Sequence, residues 1–216
     1  MIIQTLIFLV GCQGKKDSLQ DTDEPDCLLE TMELYALDGY IDDRTTYSYD
    51  KNNFLVVVEI DYKKNKTIDY RDTYTNDTDG TPLIMDTDTD GDGDLDRSTA
   101  FFYDSKGRLE TADEDANVDG SVNVRYTYIY DDAGNLWMIE RDEGPDGTVD
   151  SRTTNFYDSN GVMTSSEWDS GDDGTIDLQE AYTYTYDDYG NIATMESDFD
   201  VDGEIDAFYT YTYNCL

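Results

Sequence analysis

Tyr182-Thr183-Tyr184-Thr185-Tyr186-Asp187 is followed by Asp188-Tyr189-Gly190-Asn191-Ile192. Strict alternation of tyrosine with threonine is strand chemistry, since aromatic and β-branched side chains suit the pleat and neighbours point to opposite faces. Tyr182, Tyr184 and Tyr186 therefore share one face, and Thr183 and Thr185 share the other. The glycine before Asn191 and Ile192 supplies the positive φ that a tight hairpin turn needs. The stretch reads strand, turn, strand.

The pattern repeats. Tyr-Asp recurs at Tyr49, Tyr103, Tyr130, Tyr157 and Tyr186, with Asn76-Asp77 and Tyr213-Asn214 filling the other beats, and the steps are 27, 27, 27, 27, 29 and 27. The step of 29 marks a two-residue insertion near Leu178–Ala181. A fixed period of this length is the signature of a repeat architecture. Each repeat is a hairpin, and the loop after it reverses the chain again. The expected fold is all-β: an up-and-down antiparallel meander of about a dozen strands over residues 28–216, curled into a closed barrel or spiral sheet. An open, twisted single sheet is the alternative. Phe101, Tyr103, Tyr128, Tyr130, Tyr211 and Tyr213 fall into register with the Tyr182 series and are expected to form aromatic ladders in the core.

Tyr130-Asp131-x-x-Gly134-Asn135-Leu136 and Tyr103-Asp104-x-x-Gly107-Arg108-Leu109 resemble the YD repeats of bacterial RHS-type surface and toxin proteins. The resemblance covers about residues 44 to 214 and implies a long antiparallel sheet that spirals. The period here is longer than in that family, and the connecting loops are far more acidic.

Charge narrows the function. Of 216 residues, 14 are Lys or Arg, 51 are Asp or Glu and none is His, a net charge of −37. Such a chain repels phosphate backbones, so no nucleic acid is expected as a partner. Imidazole-based triads and metal sites are impossible. The 19 Tyr, 7 Phe and 2 Trp argue for a folded chain, since disordered acidic segments are poor in aromatics.

The acids concentrate in loops that align on a glycine. One reads Asp88-x-Asp90-x-Asp92-Gly93-Asp94-Leu95-Asp96; others run through Asp115, Asn117, Asp119 and Asn123, and through Asp198, Asp200, Asp202 and Asp206. This is the spacing of positions 1, 3, 5, 6, 7, 8 and 9 of an EF-hand calcium loop: oxygens at 1, 3, 5 and 9, a turning glycine at 6 and a backbone carbonyl at 7. The half-loop also resembles thrombospondin type-3 and dockerin calcium motifs. The loops of Asp142, Asp146 and Asp150 and of Asp169, Asp173 and Asp177 carry Gly144 and Gly171 at position 3, which predicts weaker sites. The loop starting at Asp61 carries Lys63 and Lys66 and is expected to bind nothing. The bidentate glutamate of position 12 is missing, and an acid two residues before position 1 (Asp86, Asp113, Glu140, Glu167 or Glu196) is the expected substitute. Oxygen-only ligands select several Ca²⁺ ions over zinc or copper.

Residues 2–10 are almost wholly apolar, and Leu9-Val10-Gly11-Cys12 resembles the lipobox of bacterial lipoprotein signals. That resemblance implies a signal peptide over 1–11, acylation of Cys12 as a lipid anchor in the membrane, and a place in the bacterial cell envelope. Gln13 after the cysteine points to the outer membrane by analogy with the sorting rule of enteric bacteria. Residues 12–27 read as a flexible tether. In an oxidising compartment Cys27 and Cys215 are expected to pair, which requires the sheet to close. No catalytic set breaks the repeat, so the chain is not expected to be an enzyme. The expected function is a surface-anchored, calcium-binding repeat lipoprotein with a structural or adhesive role. A lipoprotein that binds a glycan, peptide or surface protein on its aromatic faces, with Trp137 and Trp168 as contacts, is the alternative; a carboxylate-dependent glycosidase ranks below both.

Overall fold

The computed structural model describes residues 27–35 and 41–215. The expected signal peptide, Cys12 and the tether up to residue 26 lie outside them. Fourteen strands occupy the described chain: β1 Cys27–Tyr35, β2 Ile41–Tyr49, β3 Leu55–Tyr62, β4 Tyr70–Asn76, β5 Pro82–Asp88, β6 Arg97–Tyr103, β7 Leu109–Asp115, β8 Val124–Tyr130, β9 Leu136–Glu143, β10 Ser151–Tyr157, β11 Met163–Ser170, β12 Leu178–Tyr186, β13 Ile192–Asp198 and β14 Ala207–Cys215. Every strand pairs antiparallel with its sequence neighbours, and β1 pairs with β14, so the meander closes into a barrel. Closure leaves no free sheet edge, which an alternating Tyr/Thr sheet would otherwise offer to other chains.

The repeat is visible in the core. Tyr47 faces Val58, Tyr74 faces Met85, Phe101 faces Ala112 and Tyr128 faces Ile139 across successive hairpins. All eight are buried and belong to one cluster. An aromatic ring on the first strand and an aliphatic chain on the second thus recur once per repeat on the inner face. The insertion also finds its place: β12 is 9 residues long where β4, β6, β8 and β10 are 7.

Both letters of the Tyr-Asp motif have a structural task. The aspartate caps the turn. Asp104 Oδ1 accepts the backbone N–H of Lys106 at 2.8 Å and of Arg108 at 2.9 Å, and Asp50, Asp77, Asp158 and Asp187 repeat this pair of bonds. These amide donors hold the Asp77, Asp104 and Asp158 carboxyls below their ordinary pKa, with the Arg108 guanidinium adding to the effect at Asp104. The turn residue at φ +92 in the fourth copy is Gly134, and in the first copy Asn53 takes its place at φ +64.

The tyrosine ties one repeat to the one before it. Tyr49, Tyr103, Tyr130 and Tyr157 donate their hydroxyls to the carbonyl oxygens of Leu29, Pro82, Leu109 and Leu136, at 2.7–2.9 Å. Asn76, which breaks the tyrosine series, keeps the bond with its side-chain amide, to Leu55 O at 2.7 Å.

The outer wall mixes ion pairs and threonines with exposed apolar residues such as Ile84, Phe102 and Phe156. Arg71 pairs with Glu59, Arg125 with Asp113 and Arg152 with Glu140 on adjacent strands. Threonines occupy the next outward positions, and Thr185 and Thr194 share a hydroxyl hydrogen bond of 2.6 Å.

Candidate metal centre

Alternate connections of a meander emerge on alternate rims. The Tyr-Asp turns occupy one rim, and the loops 61–69, 88–96, 115–123, 142–150, 169–177 and 198–206 occupy the other. Six loops of one pattern, five of them acidic, therefore stand side by side in a single arc.

They share one hydrogen-bond frame. The position 1 carboxylate accepts backbone N–H groups from inside its own loop: Asp198 takes Asp202 at 3.1 Å and Gly203 at 2.9 Å, and Asp115, Asp142 and Asp169 hold the same two positions. Asp88 takes Gly91 at 2.7 Å and Gly93 at 3.0 Å. The position 5 carboxylate accepts the amide of position 7, as from Asp94 to Asp92 at 2.8 Å. The position 9 side chain accepts the amide of position 2: Thr89 to Asp96 at 2.7 Å, Ala116 to Asn123 at 2.7 Å, Glu143 to Asp150 at 2.6 Å, Ser170 to Asp177 at 2.7 Å and Phe199 to Asp206 at 2.7 Å. The position 9 amide in turn closes the loop onto the strand, from Asp206 to Ser197 O at 2.9 Å. In the loops of Asp88 and Asp198 this frame leaves position 1, 3 and 9 oxygens close together.

In two loops that convergence is measurable. Carboxylate oxygens of Asp88, Asp90 and Asp96 lie within 4.8 Å of one another, and so do those of Asp198, Asp200 and Asp206. Two oxygens bound to one calcium ion at about 2.4 Å are at most about 4.8 Å apart, so both triads have the spacing of a shared hard cation. Hydrogen bonds tune the acids. The Thr89 hydroxyl and amide hold Asp96 below its ordinary pKa, and the Thr175 donors do the same for Asp173. Asp115 is lowered as well, its backbone donors outweighing the desolvation that acts against them. Its loop carries amides at Asn117 and Asn123, so fewer negative charges converge there than at Asp88 or Asp198.

The glycines at position 3 do more than omit a ligand. Gly144 N–H donates to Asn123 O at 2.7 Å, and Gly171 N–H donates to Asp150 O at 2.6 Å. Each bond runs to the last residue of the preceding loop and links neighbours along the rim. Both glycines have positive φ, +67 and +89, where a side chain would be strained.

The decayed loop keeps the frame with lysines in it. Asp61 accepts Asn65 N at 2.7 Å and Lys66 N at 2.8 Å, and Asp69 accepts Tyr62 N at 2.9 Å. Lys64 Nζ lies 3.1 Å from Glu33. Positive charge therefore stands in this loop on the chain itself.

The acids two residues before position 1 differ from the expectation. Asp113 is held by Arg125 through two hydrogen bonds of 2.6 and 2.7 Å, Glu140 by Arg152 at 2.8 Å, and Asp86 accepts the Ser98 hydroxyl at 2.7 Å. They share the outward face with position 1, but each turns sideways to the next strand, where an arginine or serine stands directly across the ladder. Glu167 and Glu196 occupy the corresponding rungs, opposite Gln179 and Phe208. Trp137 follows a Tyr-Asp turn and Trp168 immediately precedes an acidic loop, so the two half-exposed indoles sit at opposite rims and make no common platform.

No protein-family model and no curated protein matches this sequence. Among solved structures, a porin-like protein from Bacteroides uniformis is 14% identical with a TM-score of 0.53, covering 87% of this chain and 98% of its own. At that identity the likeness is one of fold. A porin-like protein from Bacteroides vulgatus is 12% identical at a TM-score of 0.47, covering 88% of this chain and 100% of its own. The Photorhabdus luminescens Tc holotoxin pore is 18% identical at 0.33, covering 82% of this chain and 9% of its own.

Proposed function

We propose that the chain is a calcium-binding barrel of the bacterial cell envelope with a structural or adhesive role. The observation that carries this reading is the rim. Six loops repeat one frame, and two of them bring three carboxylates to the spacing of a shared cation. In that reading Asp88, Asp90 and Asp96 hold one ion, and Asp198, Asp200 and Asp206 hold another. The position 7 carbonyl and water complete each shell. The loops at Asp115, Asp142 and Asp169 bind more weakly, with fewer charged ligands. Calcium relieves repulsion between adjacent loops and stiffens the rim.

Lipidation at Cys12 would tether the barrel by its other end. Both Cys27 and Cys215 lie at the Tyr-Asp rim, so a tether joins the barrel at the rim opposite the acidic loops. The barrel itself is read as standing clear of the bilayer. Its wall sets the arginine–carboxylate pairs described above among exposed apolar residues such as Phe102 and Phe156, whereas a membrane barrel presents a continuous apolar band about 25 Å tall. The reading is non-enzymatic: the regularly spaced acids are accounted for by turns and loops.

Calcium titration followed by circular dichroism and melting temperature tests it. A large rise in melting temperature with calcium, reversed by EDTA, is expected. The same melting temperature in EDTA and in millimolar calcium refutes it.

A further inference from the structure

A barrel of about eight strands is just filled by its own side chains, and fourteen enclose more space than that. Part of the interior is filled: Ala112, Tyr128 and Ile139 pack from β7 to β9 in one cluster with Phe101 and Leu109, which form its boundary with open space. Beyond that boundary a cavity of about 700 Å³ remains, lined mainly by β1–β4 and β12–β14. Its lining runs from Phe54 and Arg108 at the turn rim to Asp43 and Phe199 at the loop rim. The size is that of small-molecule sites.

The cavity is chemically polarised. Its middle is apolar and aromatic, formed by Met32, Val58 and Met195 and the rings of Tyr47, Tyr74 and Tyr211. Toward the loop rim it turns acidic. Asp43 and Asp72 line it there, and the Tyr62 phenol feels both charges, its pKa raised first by burial and then by Asp43, Asp69 and Asp72. Asp72 is only 4% exposed. One of its oxygens accepts the Tyr70 hydroxyl at 2.9 Å and the Thr87 hydroxyl at 2.7 Å. Burial pushes its carboxyl above the ordinary range, against the two hydrogen bonds and Arg97. Arg97 does not neutralise it alone, since the same guanidinium lies 3.5 Å from Glu114. Among the described lining residues the single basic side chain is Arg108, at the far rim, held by Asp104 at 2.8 Å and stacked 4.3 Å from the Tyr130 ring centroid.

A buried carboxylate at the end of a tyrosine-lined apolar space selects one ligand class. Desolvated acid attracts positive charge strongly, ring faces attract it further, and the apolar walls hold a hydrocarbon body. We propose that the lumen binds a small organic cation, its positive head at Asp72 and Asp43 and its apolar body against Val58, Met195 and the tyrosine rings. This site is separate from the acidic loops, whose carboxylates lie on the outer face and the rim.

Isothermal titration with decyltrimethylammonium and with decyl sulfate, in calcium and physiological salt, tests the proposal. One decyltrimethylammonium per chain is expected, at least about 10-fold tighter than decyl sulfate, because a charge-assisted contact in a buried site is worth about that much or more. Asp72→Asn, which keeps the acceptor for Tyr70 and Thr87, is expected to weaken it about 10-fold. Val58→Trp fills the lumen and abolishes it, and Met195→Trp does so from the opposite wall where Val58→Trp fails to fold. The exposed Glu110→Gln leaves it unchanged. Equal affinity for the two amphiphiles overturns the proposal. So does binding of several cations per chain, unaffected by Asp72→Asn and the filling variants, which is adsorption to an acidic surface.

Discussion

Cys27 and Cys215 are cross-strand partners in the β1–β14 register. Directly opposed residues of an antiparallel ladder have Cα atoms about 4.5–5.5 Å apart, within the reach of a disulfide. A bond there would close a loop of nearly the whole chain. The chain-entropy model gives it about 5 kcal/mol at that loop length, as an upper bound. Non-reducing peptide mapping is expected to return a linked Cys27–Cys215 peptide, and reduction to lower the melting temperature. Two alkylatable thiols on the folded protein would refute the bond and leave the barrel closed by hydrogen bonds alone.

Loop strength is expected to follow converging charge. Asp90→Ala and Asp200→Ala each remove one tight calcium site, whereas Asp173→Ala removes only a weak one. Lys63→Asp with Lys66→Gly restores the ligand pattern in a loop whose frame is already in place, so one site is gained. Titration calorimetry reads these as changes in stoichiometry; identical stoichiometry in all four proteins would sink the assignment.

Tyr130→Phe removes the hydroxyl bond to Leu109 O and keeps the ring. A loss of about 1 kcal/mol is expected in urea unfolding, the usual net value of one such bond. Asn76→Ala, which deletes the substitute bond to Leu55 O, is expected to cost as much or more. No change in either variant would mean that the ties between repeats carry no stability.

Asp131 holds Asn135 through the side-chain amide and the backbone, which keep its carboxyl below the ordinary 3.8. A lowered folded value means stability that is present above 3.8 and lost as pH falls through the folded pKa. Asp131→Asn is therefore expected to melt lower than the parent at pH 7, with the difference vanishing in strong acid. Asp72 works in the opposite sense, since its raised value favours folding at low pH. A constant gap between parent and Asp131→Asn across this range would refute the capping role.

Much of the fold was legible because it repeats. Tyr/Thr alternation, glycine-bearing turns and a 27-residue step lead from the residues to hairpins, and acidic loops of fixed spacing lead to one rim of carboxylate-rich turns. The hidden parts involve partners far apart in sequence. Spacing alone suggested that Asp113 and Glu140 would complete a metal shell, yet an arginine directly across the ladder pairs with each. Gly144 and Gly171 look like missing ligands in one dimension and are links between loops in three. The tyrosine tie to the preceding repeat has no local mark, except that Asn76 can stand in for tyrosine.

Local patterning determined the secondary structure, the phase of every turn and loop, and which residues face inward, since these follow from periods of 2 and 27 residues along the chain. Closure at β1–β14, the meeting of Cys27 with Cys215 and the acidic lumen were decided by tertiary structure. They depend on how many strands accumulate before the twisted sheet returns to its start, a sum over the whole molecule that no single repeat contains.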